Sequence, residues 1–278
     1  MAEGLTGVHA YWRVPGARPR GYRQMIALTW LLSILSWRRH AGPIELFADE
    51  PTLDWLGSMG YLEHYDRITR LDDAGLDERY DRVACFALPK LLALERYPDA
   101  VLVDTDAYLF TPLRLRGPGS HFAHLERGDV DYYADLPALS NPAGLELPDS
   151  LDLVGNTSLF RAADAGLARR VSEAGLAFLA GNPTTPGRDV HLHMTVAEQV
   201  LATHHTLRAG APVVNVFNAL WRLGQGWLTD PPGYGHLWHD KRDETPADAL
   251  QAFQACRRLL TEGYGVDEEL LRSALRRA

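Results

Sequence analysis

The sequence predicts an α/β fold: a mixed, mostly parallel sheet flanked by helices, with further helices at the C-terminus. Three observations predict it. Short apolar runs alternate with longer stretches of helical spacing from residue 8 onward, the order that gives parallel strands joined by helical crossovers. The run Ala100-Val101-Leu102-Val103 is apolar without alternation, as a strand buried on both faces is. Finally, the chain has 278 residues, 46% of them hydrophobic, enough to build a large core without a disulfide or metal staple.

The elements follow in order. Residues 8–12 form the first strand, and residues 13–21, with Pro15, Gly16, Pro19 and Gly21, form a loop. Residues 22–39 are helical and stop at Gly42-Pro43. Residues 44–48 are the second strand; Asp49-Glu50-Pro51 turns into a short helix over 52–59, closed by Gly60. A helix over 86–96 carries Leu88, Leu91, Leu92 and Glu95 at helical spacing and leads into the strand 100–103. Strands are expected at 131–134 and at 151–160, the latter crossed by Gly155-Asn156, with exposed loops at 137–148 and 182–188. A helix over 162–179 ends at Gly181-Asn182-Pro183; residues 195–204 are helical and 212–217 extended. Two last helices, 246–260 and 267–276, follow the start signal Thr245-Pro246. We expect residues 1–245 to form one catalytic domain, with 246–278 a helical extension packed on it.

Composition narrows the function. The net charge of −8 disfavours binding to nucleic acid, and no basic tail addresses an anionic membrane. An anionic substrate would have to be held by local cations or by a metal. The longest apolar run, residues 25–37, is 13 residues long and broken by Thr29, Ser33 and Ser36, against the ~20 that a membrane span needs. It reads as a buried helix, neither an integral membrane segment nor a signal peptide. Cys85 and Cys256 both lie in apolar patterns and read as buried free thiols, which fits a cytoplasmic protein.

The sharpest local feature is Asp104-Thr105-Asp106 at the end of the apolar strand, where open α/β sheets place their ligands. Side chains at i and i+2 of an extended segment share a face. Two carboxylates on one face repel unless a cation lies between them, and hard oxygens suit Mn²⁺ or Mg²⁺. A pair of polar residues capping a strand is the plainer alternative. A second cluster runs from His236 to Arg242, preceded by Gly233 and Gly235. An imidazole there can complete a metal shell, and Lys241 or Arg242 can hold a diphosphate; a solvated polar loop is the alternative. His191-Leu192-His193 reads as a polar loop edge, His204-His205 as a helix end, and His121 and His124 carry no signal. No phosphate-binding G-x-x-x-x-G-K-[ST] loop, G-x-G-x-x-G dinucleotide motif or G-x-S-x-G elbow occurs. Tyr11-Trp12 stands at the sheet edge, either as core or as a platform for a base.

The order of these segments resembles the GT-A (Rossmann-like) glycosyltransferases, of the glycogenin and lipopolysaccharide galactosyltransferase (family 8) type. Five segments between about 85 and 242 carry the resemblance: Phe86–Leu91 followed by Val101–Asp106; Val154-Gly155-Asn156-Thr157-Ser158-Leu159-Phe160; Ala197-Glu198-Gln199; Ala211–Asn218; and His236–Arg242. The resemblance implies transfer of a sugar from a nucleoside-diphosphate sugar, most simply a UDP-sugar, to an acceptor hydroxyl, with retention of configuration. It implies that Asp104, Asp106 and His236 hold Mn²⁺ or Mg²⁺ and that Asp104 lies near the ribose. It further places Lys90 by the nucleotide-sugar, Tyr11 by the base, and Lys241 or Arg242 at the diphosphate. Asn156, Glu198 and Gln199 would face sugar and acceptor. The chain departs from the family pattern with Glu198 for Asp, Thr157-Ser158 for a Ser-Gly step, and His239 for Gly, so His239 competes with His236 as third ligand. Two other classes are compatible with the same residues: a metal-dependent nucleotidyltransferase acting on sugar phosphates, and a non-catalytic, sugar-binding relative.

Overall fold

The first strand of the chain alternates strictly. Val8 and Ala10 point to one side with Trp12 beyond them, while His9 and Tyr11 point to the other. A computed structural model describes residues 4–14, 20–76, 78–128, 133, 142, 144–148, 151–182, 190–218, 220–221, 233–237 and 246–278. In it this strand, β1 (Gly7–Tyr11), pairs in parallel with β2 (Ile44–Ala48) and β4 (Val101–Val103), and β2 pairs with β3 (Arg67–Arg70). Beyond β4 come the one antiparallel strand, β9 (Leu159–Arg161), then β6 (Ser120–Phe122) and β10 (Val213–Asn215). The seven-stranded order is β10-β6-β9-β4-β1-β2-β3, so the expected mixed, mostly parallel sheet is observed.

Helices cover both faces. On one side lies α1 (Arg20–His40) with α2 (Glu50–Ser58), joined by the C-terminal helices α7 (Pro246–Arg258) and α8 (Glu268–Arg277). On the other lie α3 (Leu88–Arg96), α4 (Ala165–Gly181), α5 (Val190–Thr195) and α6 (Leu201–Arg208). Each strand divides its residues between the two layers: Val101 and Val103 pack towards α1, and Leu102 towards α3 and α4. Trp30, Trp37 and Leu32 of α1 are fully buried, so the run over 25–37 is a core helix. Among the described residues no helix is long and apolar enough to cross a membrane.

Helix ends follow capping rules. Asp49 caps α2 by accepting from Thr52 N, Asp164 caps α4 from Leu167 N, and Asp267 caps α8 from Glu269 N and Leu270 N. Asp49 does more, accepting from Arg13 N at 3.0 Å and ion-pairing with Arg82. This ties the ends of β1 and β2 together.

The structure corrects several expectations. The strand expected over 151–160 is two strands in different sheets, β8 (Leu153–Gly155) and β9, because Asn156-Thr157-Ser158 turns the chain. β8 pairs with β7 (Leu125–Arg127), which also pairs with β11 (Leu220–Trp221). The short strands β3, β6 and β7 were not anticipated. His191-Leu192-His193 begins α5 and is not a loop edge; residues i and i+2 of a helix diverge, and His193 is buried beside Phe178. The strand expected at 131–134 lies outside the described residues except Tyr133, whose backbone is helical.

Seven histidines, His9, His40, His64, His121, His124, His204 and His205, have pKa values lowered chiefly by burial, His9 to about 3. Their folded pKa values lie below the unfolded value of about 6.5, so the unfolded chain takes up protons first. The stability they contribute is fully present above about pH 6.5 and is lost as pH falls, for His9 down to about 3. Each such proton weakens folding by about 1.4 kcal/mol per pH unit inside its window. Thermal denaturation is therefore expected to give a lower midpoint at about pH 5 than at about pH 7.5; a higher one contradicts the burial of these rings.

Candidate active site

Strand β4 ends at Val103, and the chain turns through Asp104-Thr105-Asp106, with Ala107 N–H returning to the Asp104 carbonyl at 3.0 Å. Strand β5 (Ala107–Leu109) then pairs antiparallel with β12 (Tyr234–His236), in a register that sets His236 opposite Ala107. That register delivers a residue from far down the chain to the turn. The Asp106 carbonyl accepts from Leu237 N at 3.2 Å and closes the ribbon.

His236 Nε2 lies 3.6 Å from Asp104 Oδ2 and 3.6 Å from Asp106 Oδ1. These separations exceed hydrogen-bond length, so the three groups converge without satisfying one another. All three donor atoms lie within 4.8 Å, and among the described residues this is the one such group. His236 and Asp106 are buried and Asp104 is partly open. His236 Nδ1 is also buried without a hydrogen-bond partner among the described residues. An imidazole with neither nitrogen hydrogen-bonded is costly to bury, and a cation at Nε2 would satisfy that nitrogen. Two carboxylate oxygens and one imidazole nitrogen are a donor set that fits Mn²⁺ or Mg²⁺.

The other oxygen of Asp104 is engaged. Lys90, in the first turn of α3, puts Nζ 2.6 Å from Asp104 Oδ1 and 3.1 Å from the Thr157 carbonyl, and ion-pairs with Glu198. Burial works to strip the Lys90 proton, but Asp104 and Glu198 outweigh it and hold the ammonium above the usual lysine range. Burial pushes Glu198 up, against the pull of Lys90. Thr157 Oγ1 donates to the same Glu198 Oε1 at 2.7 Å. Glu198 and Gln199 sit in a π turn, Val196–Val200, between α5 and α6; such turns recur at functional sites.

Behind the turn lies a polar cluster that the sequence did not reveal. Glu126 on β7 is fully buried, accepting from Asn156 Nδ2 at 2.6 Å and from the Tyr133 hydroxyl at 2.8 Å. The Tyr133 oxygen is also 3.0 Å from the Gln199 amide. His124 Nε2 is 3.4 Å from Glu126 Oε1, and His124 Nδ1 contacts the Tyr234 hydroxyl. Tyr234 stacks on Phe217 at 4.1 Å, so two side-chain contacts fix the strand that carries His236. The spacing His124-x-Glu126, like Asp104-x-Asp106, was the available signal for this cluster.

The expected site residues are thus placed as follows. Asp104, Asp106, His236, Lys90 and Glu198 come together in one group. Asn156 and Gln199 belong to the Glu126 cluster, and the Asn156 amide is turned inward, its Oδ1 accepting from Ser158 N at 2.9 Å. Tyr11 ends β1 at the same sheet edge, half-buried, with its ring edge-on to Trp30 at 4.9 Å; Trp12 is fully buried under Arg82. His239, Lys241 and Arg242 lie outside the described residues.

Gly235 shows how tightly β12 is held. It stands opposite Tyr108, and a Cβ there would lie 2.5 Å from Tyr108 Cζ. Gly235→Ala must shift either the buried Tyr108 ring or the strand itself, a clash of the kind that costs about 1–3 kcal/mol. We expect a lower midpoint in urea together with weaker Mn²⁺ binding; unchanged values for both would mean that β12 does not lie flush on β5.

No protein-family model matches the sequence, and no curated protein sequence matches it. Solved structures similar to the chain include the PaToxG glycosyltransferase, at 9% identity over 99% of this chain and 85% of that one, TM-score 0.41. They also include mouse xyloside xylosyltransferase 1 in its apo form, at 12% identity over 91% of this chain and 94% of that one, TM-score 0.41. A third is the apo WbbM bifunctional glycosyltransferase, at 10% identity over 93% of this chain and 45% of that one, TM-score 0.37.

Proposed function

We propose that the protein is a metal-dependent glycosyltransferase that moves a sugar from a nucleoside-diphosphate sugar, with UDP as the expected nucleotide, to an acceptor hydroxyl with retention of configuration. The observation that carries this reading is the convergence of Asp104, Asp106 and His236 at the carboxyl end of β4. The five sequence segments in the order of the GT-A family support it, as does a buried ammonium beside the carboxylates. Within residues 1–245, the catalytic unit, the three ligands would hold Mn²⁺ or Mg²⁺. When bound, the ion would supply a Lewis acid that neutralises the departing diphosphate.

The chain's own residues do the rest. Lys90 brings a fixed positive charge to a protein whose net charge is −8, so an anionic donor is held against the overall field. Asp104 is the most open of the three ligands and lies where a ribose would approach. Lys241 and Arg242 are proposed to reach the diphosphate, and Tyr11 the base. Asn156, Glu198 and Gln199 shape the side of the site towards sugar and acceptor.

The test is a thermal-shift series of nucleoside diphosphates with and without Mn²⁺, followed by a nucleotide-sugar hydrolysis assay. UDP is expected to stabilise the protein only when Mn²⁺ is present, and a UDP-sugar to be slowly hydrolysed. Nucleotide binding indifferent to the metal would overturn the reading. Release of pyrophosphate from a nucleoside triphosphate and a sugar phosphate would replace it with a nucleotidyltransferase.

A further inference from the structure

Ser33 and Ser36 interrupt the apolar run of α1, are completely buried, and lie one helical turn apart on the face towards the Asp104–Leu109 segment. Ser33 Oγ donates to the Asp104 carbonyl at 3.2 Å, and Ser36 Oγ accepts from Leu109 N at 3.0 Å. The two serines thus grip both ends of the segment that carries the carboxylates. Ser33 is in turn bonded by His9 of β1, whose Nε2 is 3.0 Å away, and His9 Nδ1 is 2.7 Å from the Tyr65 hydroxyl. Tyr65 accepts from Trp30 Nε1 at 2.6 Å.

Proton counting fixes the direction of this chain. Trp30 Nε1 can only donate and the Asp104 carbonyl can only accept. Ser33 has one proton, which goes to Asp104, so its oxygen must accept from His9 Nε2–H. A neutral ring then has a bare Nδ1, which accepts the Tyr65 proton. Every donor in the series has one acceptor, and three separate parts of the fold are tied to one peptide carbonyl. Side-chain series of this kind commonly orient metal ligands from behind.

We propose that Ser33, His9 and Tyr65 are positioning residues that hold the Asp104-Thr105-Asp106 turn at the carboxylate spacing a divalent cation needs. This rests on the reading of Asp104, Asp106 and His236 as a cation site. None of the three touches the cation; they act through the Asp104 carbonyl.

The experiment titrates Mn²⁺ alone into the 278-residue chain by calorimetry, for the wild type, Ser33→Ala, Tyr65→Phe and Thr29→Val. Thr29 is the control: it is equally buried on the same helix, but among the described residues its hydroxyl bonds only within the helix, to the Ile26 carbonyl. Ser33→Ala is expected to weaken Mn²⁺ about tenfold, the scale on which outer partners of a metal site act, and Tyr65→Phe several-fold, while Thr29→Val stays within about twofold. Nitrogen-15 spectra should show His9 protonated at Nε2 in the wild type and a mixture of tautomers in Ser33→Ala. Wild-type affinity in Ser33→Ala overturns the proposal while leaving the cation site standing, and so does an equal loss in Thr29→Val. If Ser33→Ala does not fold, Tyr65→Phe decides by the same criterion. Failure of the wild type to bind Mn²⁺ overturns the cation site, and this proposal with it.

Discussion

Asp106→Asn is expected to abolish metal-dependent nucleotide binding and leave the fold intact. The amide keeps the shape of the carboxylate but supplies no charge and a poorer oxygen donor. Loss of an outer partner of a metal site costs about 10–100-fold in affinity; loss of a charged ligand should exceed about 100-fold. The sign of the stability change is equally informative. Asp104 and Asp106 both face His236 Nε2 at 3.6 Å, and without a cation their charges repel. The metal-free variant should therefore melt at the same temperature as the wild type or above it. Calorimetry with Mn²⁺ and UDP, paired with a melting curve, checks both halves. A variant that binds Mn²⁺ normally, or one that unfolds, would mean that Asp106 serves the fold.

The second large effect is expected at Lys90. Its ammonium is buried between Asp104 and Glu198 and also donates to the Thr157 carbonyl. Removing one partner of a buried ion pair typically costs 3–5 kcal/mol, because the remaining charge stays buried and uncompensated. Asp104 is about a quarter exposed, with 26% side-chain accessibility, whereas Glu198 has 12%; water can relieve the first but hardly the second. Lys90→Met should therefore lose about 3 kcal/mol in urea unfolding, the lower end of that range. Adding Glu198→Gln should recover part of the loss, since the orphaned carboxylate is then gone. Full stability of Lys90→Met would show that the ammonium is not the counter-ion of this site.

Asp104 and Asp106 were legible in the sequence because they end an unbroken apolar run; Lys90 was placed at the site only by the resemblance to the GT-A family, since helical spacing gave the helix but no role for its lysine. Regular patterning of the same kind gave β1, α1, β2, α2 and β4. What could not be read were elements too short to show a period. Arg67-Ile68-Thr69-Arg70 is an edge strand with charged ends, and Ser120-His121-Phe122 and Leu125-Glu126-Arg127 are three residues each. Their assignment depends on neighbours that only the folded sheet supplies. Glu126 was missed for that reason, although burial with Asn156 and Tyr133 makes it the centre of a cluster. His9 was missed because a lone histidine in an apolar strand looks like any core position. Its meaning lies in Ser33 and Tyr65, which are distant in sequence. Chemistry alone offered an imidazole somewhere in 236–242, and the resemblance chose His236; the register of β12 against β5 puts it next to the carboxylates.

The most direct measurement is the anomalous scattering of manganese in crystals soaked with MnCl₂ and UDP. A single strong peak bounded by Asp104, Asp106 and His236, with the UDP diphosphate against it, is the result this account predicts. Manganese bound elsewhere, or those three side chains turned away from one another around no peak, would contradict it.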